Sequence, residues 1–350
     1  MAEHRKQRLW FLLGSLGLLS TVLTYDFTVF ESQPLAKYTA YPIEVSIFRS
    51  ALMIAAAALL VLAIRPNSIA IDVNRTTFRL EVVATLSFIT FVAFLVMFNP
   101  KLLERLNLED GFVENMSVIF LGSGGLLMFY AWWCITNSYR LVRQSLSHLT
   151  LRFAPVAIGS LFLLISFEEL SWGQRIIGFS TPDFFSDNSE GEVNLHNFYT
   201  WPSETLYYAT ACFAFVILPY AAAGTRHLRQ GKLARFFIPP PEFVFIAAPV
   251  AFMQAEMWKI VPVQIMAWIT SFILIDIARR TEREIGYLSL SVLTVCGIAQ
   301  AIFLIRADIL DNWLTEYKEA MIAFLCLVYA MRVMQLTRMS SNEKSPTISR

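Results

Sequence analysis

The chain has 350 residues, a net charge of +1 and an apolar fraction of 56%, with 29 Phe and 8 Trp; its mean hydropathy is +0.54. A water-soluble domain of this length carries less apolar side chain, so the composition excludes an ordinary soluble globule and makes lipid the natural solvent. The expected partner is the bilayer, and no nucleic-acid partner is expected.

Apolar runs at residues 9–25, 47–64, 81–98, 116–136, 153–167, 205–223, 243–258, 262–277, 286–305 and 319–336 predict ten membrane spans, some short against the ~20 residues a crossing helix needs. The expected fold is an all-α polytopic membrane bundle, one domain over 1–338, with a polar, disordered tail at 339–350. With both termini cytoplasmic, ten spans put most of the basic residues on one side, in the clusters Arg5 to Arg8, Arg65 to Arg79, Arg140 to Arg152, Arg226 to Arg235, Arg279 to Arg283 and Arg332 to Arg350. Most acids fall in the opposite loops, so the net charge is a basic inner face cancelling an acidic outer one. This pattern puts the acidic loops on the extracytoplasmic side. The pair of spans on either side of Pro262 is the weakest part of the count, and the charge alternation argues for two crossings.

The N-terminal run has the basic start and apolar middle of a signal peptide, but no small-x-small cleavage site follows, so it reads as an uncleaved first span. Cys134, Cys212, Cys296 and Cys326 all fall in apolar runs and read as packing residues. The first outer loop, 26–46, carries Asp26, Glu31 and Glu44, which read as solvated. In the second, NLEDGFVEN places Glu109, Asp110 and Glu114 just before the fourth span. Asn107 with Asp110 three residues on resembles a capping box, while Asp110 and Glu114 at i, i+4 would repel if both were ionised. Gly122, Gly124 and Gly125 in the fourth span read as a close helix-packing surface, because no strand precedes them and no Lys follows.

The fifth span ends abruptly in two carboxylates, Glu168 and Glu169, within FEELSWGQR. If the helix continued through this run, Glu168, Ser171, Trp172 and Arg175 would share a face at i, i+3, i+4, i+7. Acids at a helix C-terminus oppose the helix dipole, and acids at a membrane boundary carry a desolvation cost, so a capping role does not account for them. The following loop brings Asp183, Asp187, Glu190, Glu192, His196 and Asn197. His196 is the only histidine on the predicted outer side; its ordinary pKa near 6.5 suits acid–base work, and neighbouring carboxylates would raise it.

The run FEELSWGQRIIGFSTPDFF, followed by EVNLHN and preceded by EDGFVEN, resembles a pattern of uncharacterised multi-pass bacterial membrane proteins over residues 109–197. The resemblance implies a polytopic membrane fold and supplies no activity. Membrane hydrolases related to alkaline ceramidases also combine a bundle with a histidine-held metal, but this chain has one outer histidine and no H-x-x-x-H.

These residues support three readings. The first is an enzyme acting on a lipid or lipid-linked substrate at the outer interface, with Glu168, Glu169 and His196 as catalytic groups. Arg175, Trp172, Gln174, Asn197, Glu109, Asp110 and Glu114 would then bind substrate, Arg175 clamping a phosphate or carboxylate. A divalent ion on Glu168, Glu169, Glu192 and His196 is chemically admissible, since carboxylate with imidazole suits Zn or Mn, but the spacing fits no ligand template. The second is a proton-coupled carrier built from two five-helix halves, against which SWGQR has no counterpart five spans later. The third is a non-catalytic assembly or scaffold protein docking through its acidic face.

Overall fold

The computed structural model describes residues 2–31, 41–72, 76–108, 111–137, 147–185, 188, 191–224, 237–310 and 313–342. Every regular element among them is helical. The helices are α1 (Ala2–Phe30), α2 (Ile43–Ile64), α3 (Thr76–Phe98), α4 (Pro100–Leu106), α5 (Phe112–Asn137), α6 (Ser147–Glu169), α7 (Gln174–Ile177), α8 (Thr200–Cys212), α9 (Leu218–Ala222), α10 (Phe243–Ala251), α11 (Val261–Arg280), α12 (Arg283–Ile305), α13 (Ala307–Leu310) and α14 (Leu314–Asn342). Among the described residues eight helices are long and apolar enough to cross a membrane, counting α8, the π turn Phe213–Ile217 and α9 as one. The π turn leads into Pro219, whose missing N–H breaks the ordinary i to i−4 ladder. The chain divides into two compact units, Met1–Leu106, Tyr199–Thr225 and Pro240–Lys318 in the first, and Asn107–Phe198, Arg226–Pro239 and Glu319–Arg350 in the second.

In the first unit, α1 and α2 form an antiparallel hairpin whose small residues let the backbones approach: Ser15 Oγ donates to Ala56 O at 2.8 Å, and Ala56 and Ala57 are fully buried. Val22, Met53 and Val261 join this pair to α11. Asp26 does not lie in a solvated loop as expected. It is a buried acid near the end of α1 and takes a two-pronged bond from Arg49, Nε to Oδ1 at 2.8 Å and Nη2 to Oδ2 at 2.6 Å, with the guanidinium 4.1 Å over the Tyr41 ring. Arg49 also donates to Lys259 O at 3.2 Å, so the end of α1, the start of α2 and the start of α11 meet at one end of this unit. At its other end Arg8 donates to Arg65 O at 2.7 Å, Arg280 donates to Pro66 O at 2.9 Å, and Asp276 accepts from Arg65, Arg280 and Tyr220.

The predicted seventh span is corrected in form. The helix there, α10, stops at Ala251 and is nine residues long, about 14 Å at 1.5 Å per residue, with every residue buried. Residues 252–255 are broken backbone and a 3-10 turn follows over Glu256–Lys259. Unpaired backbone inside an apolar bundle is costly, and side-chain amides pair it here: Gln254 N donates to Gln300 Oε1 at 3.1 Å, and Gln300 Nε2 returns a bond to Gln254 O at 2.6 Å. Lys318, 1% exposed, donates to Gln254 Oε1 at 3.1 Å with its ammonium 4.0 Å over the Tyr208 ring. Phe245 of α10 packs on Phe78 in the first turn of α3, and Lys259 meets Arg49 in the first turns of α2, so residues 243–259 run from one end of the unit to the other.

In the second unit α5 and α6 run antiparallel in close contact. A Cβ on Gly125 would lie 2.8 Å from Leu163 and 3.0 Å from Gly159 O, and one on Gly124 would lie 3.3 Å from Phe162 and in ordinary contact with the backbone of α14 at Leu327 and Cys326. Glycine packing in the fourth span is thus what the helices use. Ser166 Oγ donates to Val118 O at 3.0 Å, which puts the last turn of α6 beside the first turns of α5. Asn107 is not the N-cap of α5, which starts five residues later at Phe112, because Asn107 instead follows α4 directly. The helix α14 continues to Asn342, past the expected tail boundary, and residues 343–350 lie outside the described residues.

Candidate functional site

The helix α6 ends at Glu169, so FEELSWGQR is not one continuous helix and the single face expected of Glu168, Ser171, Trp172 and Arg175 does not form. Three successive residues take left-handed backbone, Ser171 (φ 45), Trp172 (φ 52) and Gly173 (φ 80). Gly173 meets no penalty there, but each of the other two costs on the order of 1–3 kcal/mol. Side-chain contacts hold them: buried Ser171 donates through Oγ to Glu192 Oε2 at 2.5 Å, and the Trp172 indole N–H donates to Glu168 Oε1 at 2.6 Å. The Trp172 ring also stacks on Phe167, centroids 5.8 Å apart at 13°.

The loop that follows is braced by amides. Gln174 Nε2 donates to Thr181 Oγ1 at 2.8 Å while its Oε1 accepts from Val193 N at 2.8 Å, and Thr181 Oγ1 donates to Gly191 O at 2.6 Å. Asn188 is buried; its Oδ1 accepts from Glu192 N at 3.0 Å and its Nδ2 donates to Glu192 O. These bonds return the chain to the end of α6, where Leu195 N donates to Glu168 Oε2 at 2.6 Å and His196 Nδ1 lies 3.6 Å from the same oxygen. That separation is an ion-pair distance and too long for a hydrogen bond.

Glu168 is therefore the centre of the site. Partial burial pushes its carboxyl pKa up, but the His196 imidazole, the Leu195 N–H and the Trp172 indole N–H outweigh burial and hold it below the ordinary carboxylate value. Both of its oxygens accept bonds, so an ionised Glu168 orients the imidazole more readily than it takes up a proton itself. His196, half-buried at the start of a 3-10 turn, has Nδ1 as the ring nitrogen at ion-pair distance from Glu168.

The other sequence-predicted residues divide. Asn197 is buried beside His196, and Gln174 is a brace of the loop. Glu114 is half-buried in the first turn of α5. Glu109, Asp110 and the side chain of Arg175 lie outside the described residues, as do Asp187 and Glu190. Among the described residues no three of Glu168, Glu169, Glu192 and His196 bring ligand atoms within 4.8 Å of one another. Glu192 is turned onto Ser171, and Glu169, adjacent to Glu168 but about 100° round the helix, instead has a carboxylate oxygen within 4.8 Å of Glu319 of α14. Sequence reasoning missed Ser171, Asn188 and Thr181 as the parts that shape the site. The one legible signal was Gly173, a residue suited to left-handed backbone just past a helix end.

No protein-family model matches this chain, and neither a curated protein nor a solved structure is similar to it.

Proposed function

We propose that this is an integral protein of a bacterial inner membrane that acts as an enzyme on a lipid or lipid-linked substrate, at a site facing the periplasm. In this reading the chain crosses ten times with both termini cytoplasmic, residues 243–259 making the seventh passage. That count is supported by the charge alternation and by the run of 243–259 along its unit. The family resemblance over 109–197 goes with the same assignment.

The observation that carries the enzyme reading is an ionised carboxylate aimed at an imidazole in a strained turn. Glu168 accepts from Trp172 and Leu195 and lies 3.6 Å from His196 Nδ1. Strain and a carboxylate–imidazole pair at one place are features that collect at sites of chemistry. His196 is the catalytic acid–base, working through Nε2; Glu168 is its positioning residue and stabilises the imidazolium when it forms. Arg175 clamps a phosphate or carboxylate of the substrate, and Trp172 offers its ring face. The test is mass spectrometry of envelope lipids from cells lacking the protein, complemented with wild type, His196→Ala or Glu168→Gln. A lipid species that changes in the deletion, is restored by wild type and stays changed with either membrane-inserted variant supports the enzyme; an unaltered profile sinks it.

A carrier is the second reading, favoured by the broken backbone at 252–255 with buried Gln254, Gln300 and Lys318, because interrupted helices with polar side chains are how carriers build internal sites. Solute uptake into proteoliposomes that is lost in Lys318→Met but kept in His196→Ala would put this reading first.

A further inference from the structure

The loop after α6 is built inside out relative to a solvated loop. Four of its polar side chains, Gln174, Thr181, Asn188 and Glu192, are spent on one another, on Ser171 and on backbone groups, while Asp183 is exposed. Its apolar side chains face outward, with Ile176 73%, Ile177 74% and Phe184 71% exposed. Burying side chains of this size is worth about 1.5–3 kcal/mol each, so water is a poor neighbour for all three.

What covers them follows from the helix they are attached to. Leu161, Leu164 and Phe167 form an exposed stripe on α6 at intervals of three, and α6 packs along α5, one of the helices able to cross a membrane. An exposed apolar stripe on a helix packed along such a span faces acyl chains. The stack of Phe167 on Trp172 carries the stripe past the helix end and onto the loop, where Ile176 and Ile177 are also exposed. The turn that places Trp172 there is the same one that directs its indole N–H to Glu168.

We infer that the loop over residues 171–185 docks into the bilayer, its Ile176, Ile177 and Phe184 lying at the acyl-chain boundary of the leaflet next to the C-terminal end of α6. The Glu168 and His196 pair is then approached from within the leaflet. Resting on the function proposed above, this makes the substrate a lipid whose chains stay in the bilayer during reaction, and a water-soluble metabolite does not fit. The apolar rim and the polar underside together resemble an interfacial segment, which lies in the membrane plane and does not cross it.

The experiment places nitroxide labels at Ile177→Cys and Phe184→Cys, with Asp183→Cys as the aqueous control, in a Cys134→Ser background. The full chain is reconstituted in phosphatidylethanolamine and phosphatidylglycerol vesicles. The expected result is that labels at 177 and 184 collide more with dissolved oxygen than with a water-soluble nickel chelate, with the order reversed at 183. Nickel access at 177 and 184 equal to that at 183 overturns docking, and so does exclusion of both agents, which marks a protein contact. These positions are exposed, and label depth is read without any activity. Lipid-embedded labels alongside an unchanged lipid profile would keep the docking and remove the enzyme; water-exposed labels alongside a changed profile would do the reverse.

Discussion

Glu168 Oε2 and His196 Nδ1 lie 3.6 Å apart although a helix end, three left-handed residues and a braced loop separate them along the chain. The pair exists because the chain reverses at Ser171 to Gly173 and is brought back by Gln174 and Asn188. Its electrostatics can be read through stability. The folded-state pKa of Glu168 is depressed, so its ionised form is favoured by folding and the stabilisation is fully present above the ordinary carboxylate value of the unfolded chain. It is lost as pH falls through the lowered folded value. Thermal unfolding in detergent, followed from pH 7 down to about pH 3 across the ordinary carboxylate range, should show wild type losing more stability than Glu168→Gln. Parallel curves for the two proteins would remove the claim that the carboxylate is held ionised.

Gly173→Ala tests the turn itself. A Cβ there meets only Ile177, at 3.8 Å, so space is available and the penalty is conformational, from φ 80. A loss of about 1–2 kcal/mol is expected, with weaker protection of the Leu195 amide in hydrogen exchange as Glu168 moves away.

Ser171→Ala removes the short bond to Glu192 Oε2, an oxygen that also takes a longer bond from Asn194 at 3.4 Å. The expected cost is about 1–3 kcal/mol, seen as a lower unfolding temperature and as faster limited proteolysis within 181–195. Unchanged proteolysis would mean that the amide braces alone hold the loop.

Asp26→Ala strands Arg49, which is buried and hydrogen-bonded on two prongs. Breaking one partner of a buried pair costs on the order of 3–5 kcal/mol, and the double variant Asp26→Leu with Arg49→Met should recover much of it. Equal stability of the single and double variants in a detergent unfolding series would refute a desolvated pair.

Gly125→Leu forces side chain into a space where a Cβ already meets Leu163 at 2.8 Å. Overpacking of about 1–3 kcal/mol is expected, and the pairing of α5 with α6 should loosen, read as greater hydrogen exchange at Ser166 and Val118.

The sequence by itself determined the helical membrane character, because lipid demands long apolar runs with all backbone bonds closed inside a segment, and such runs are visible residue by residue. Helices begin or end within several residues of most of the predicted limits, and the glycine surface of the fourth span was legible because only small residues permit that approach. Glu168 and His196 stand out in the sequence by type, an acid at an apolar boundary and a histidine in the loop that follows. Only the tertiary structure decided that Glu168 faces His196 while Glu169 turns to Glu319, and that Glu192 serves Ser171. Those choices hang on φ at Ser171 and Trp172, two residues whose intrinsic preference is the opposite one, so distant contacts override the local rule. The break at 252–255 was hidden for the same reason: AFMQAE reads as helix until Gln300 and Lys318 supply from other helices the partners that let the backbone open.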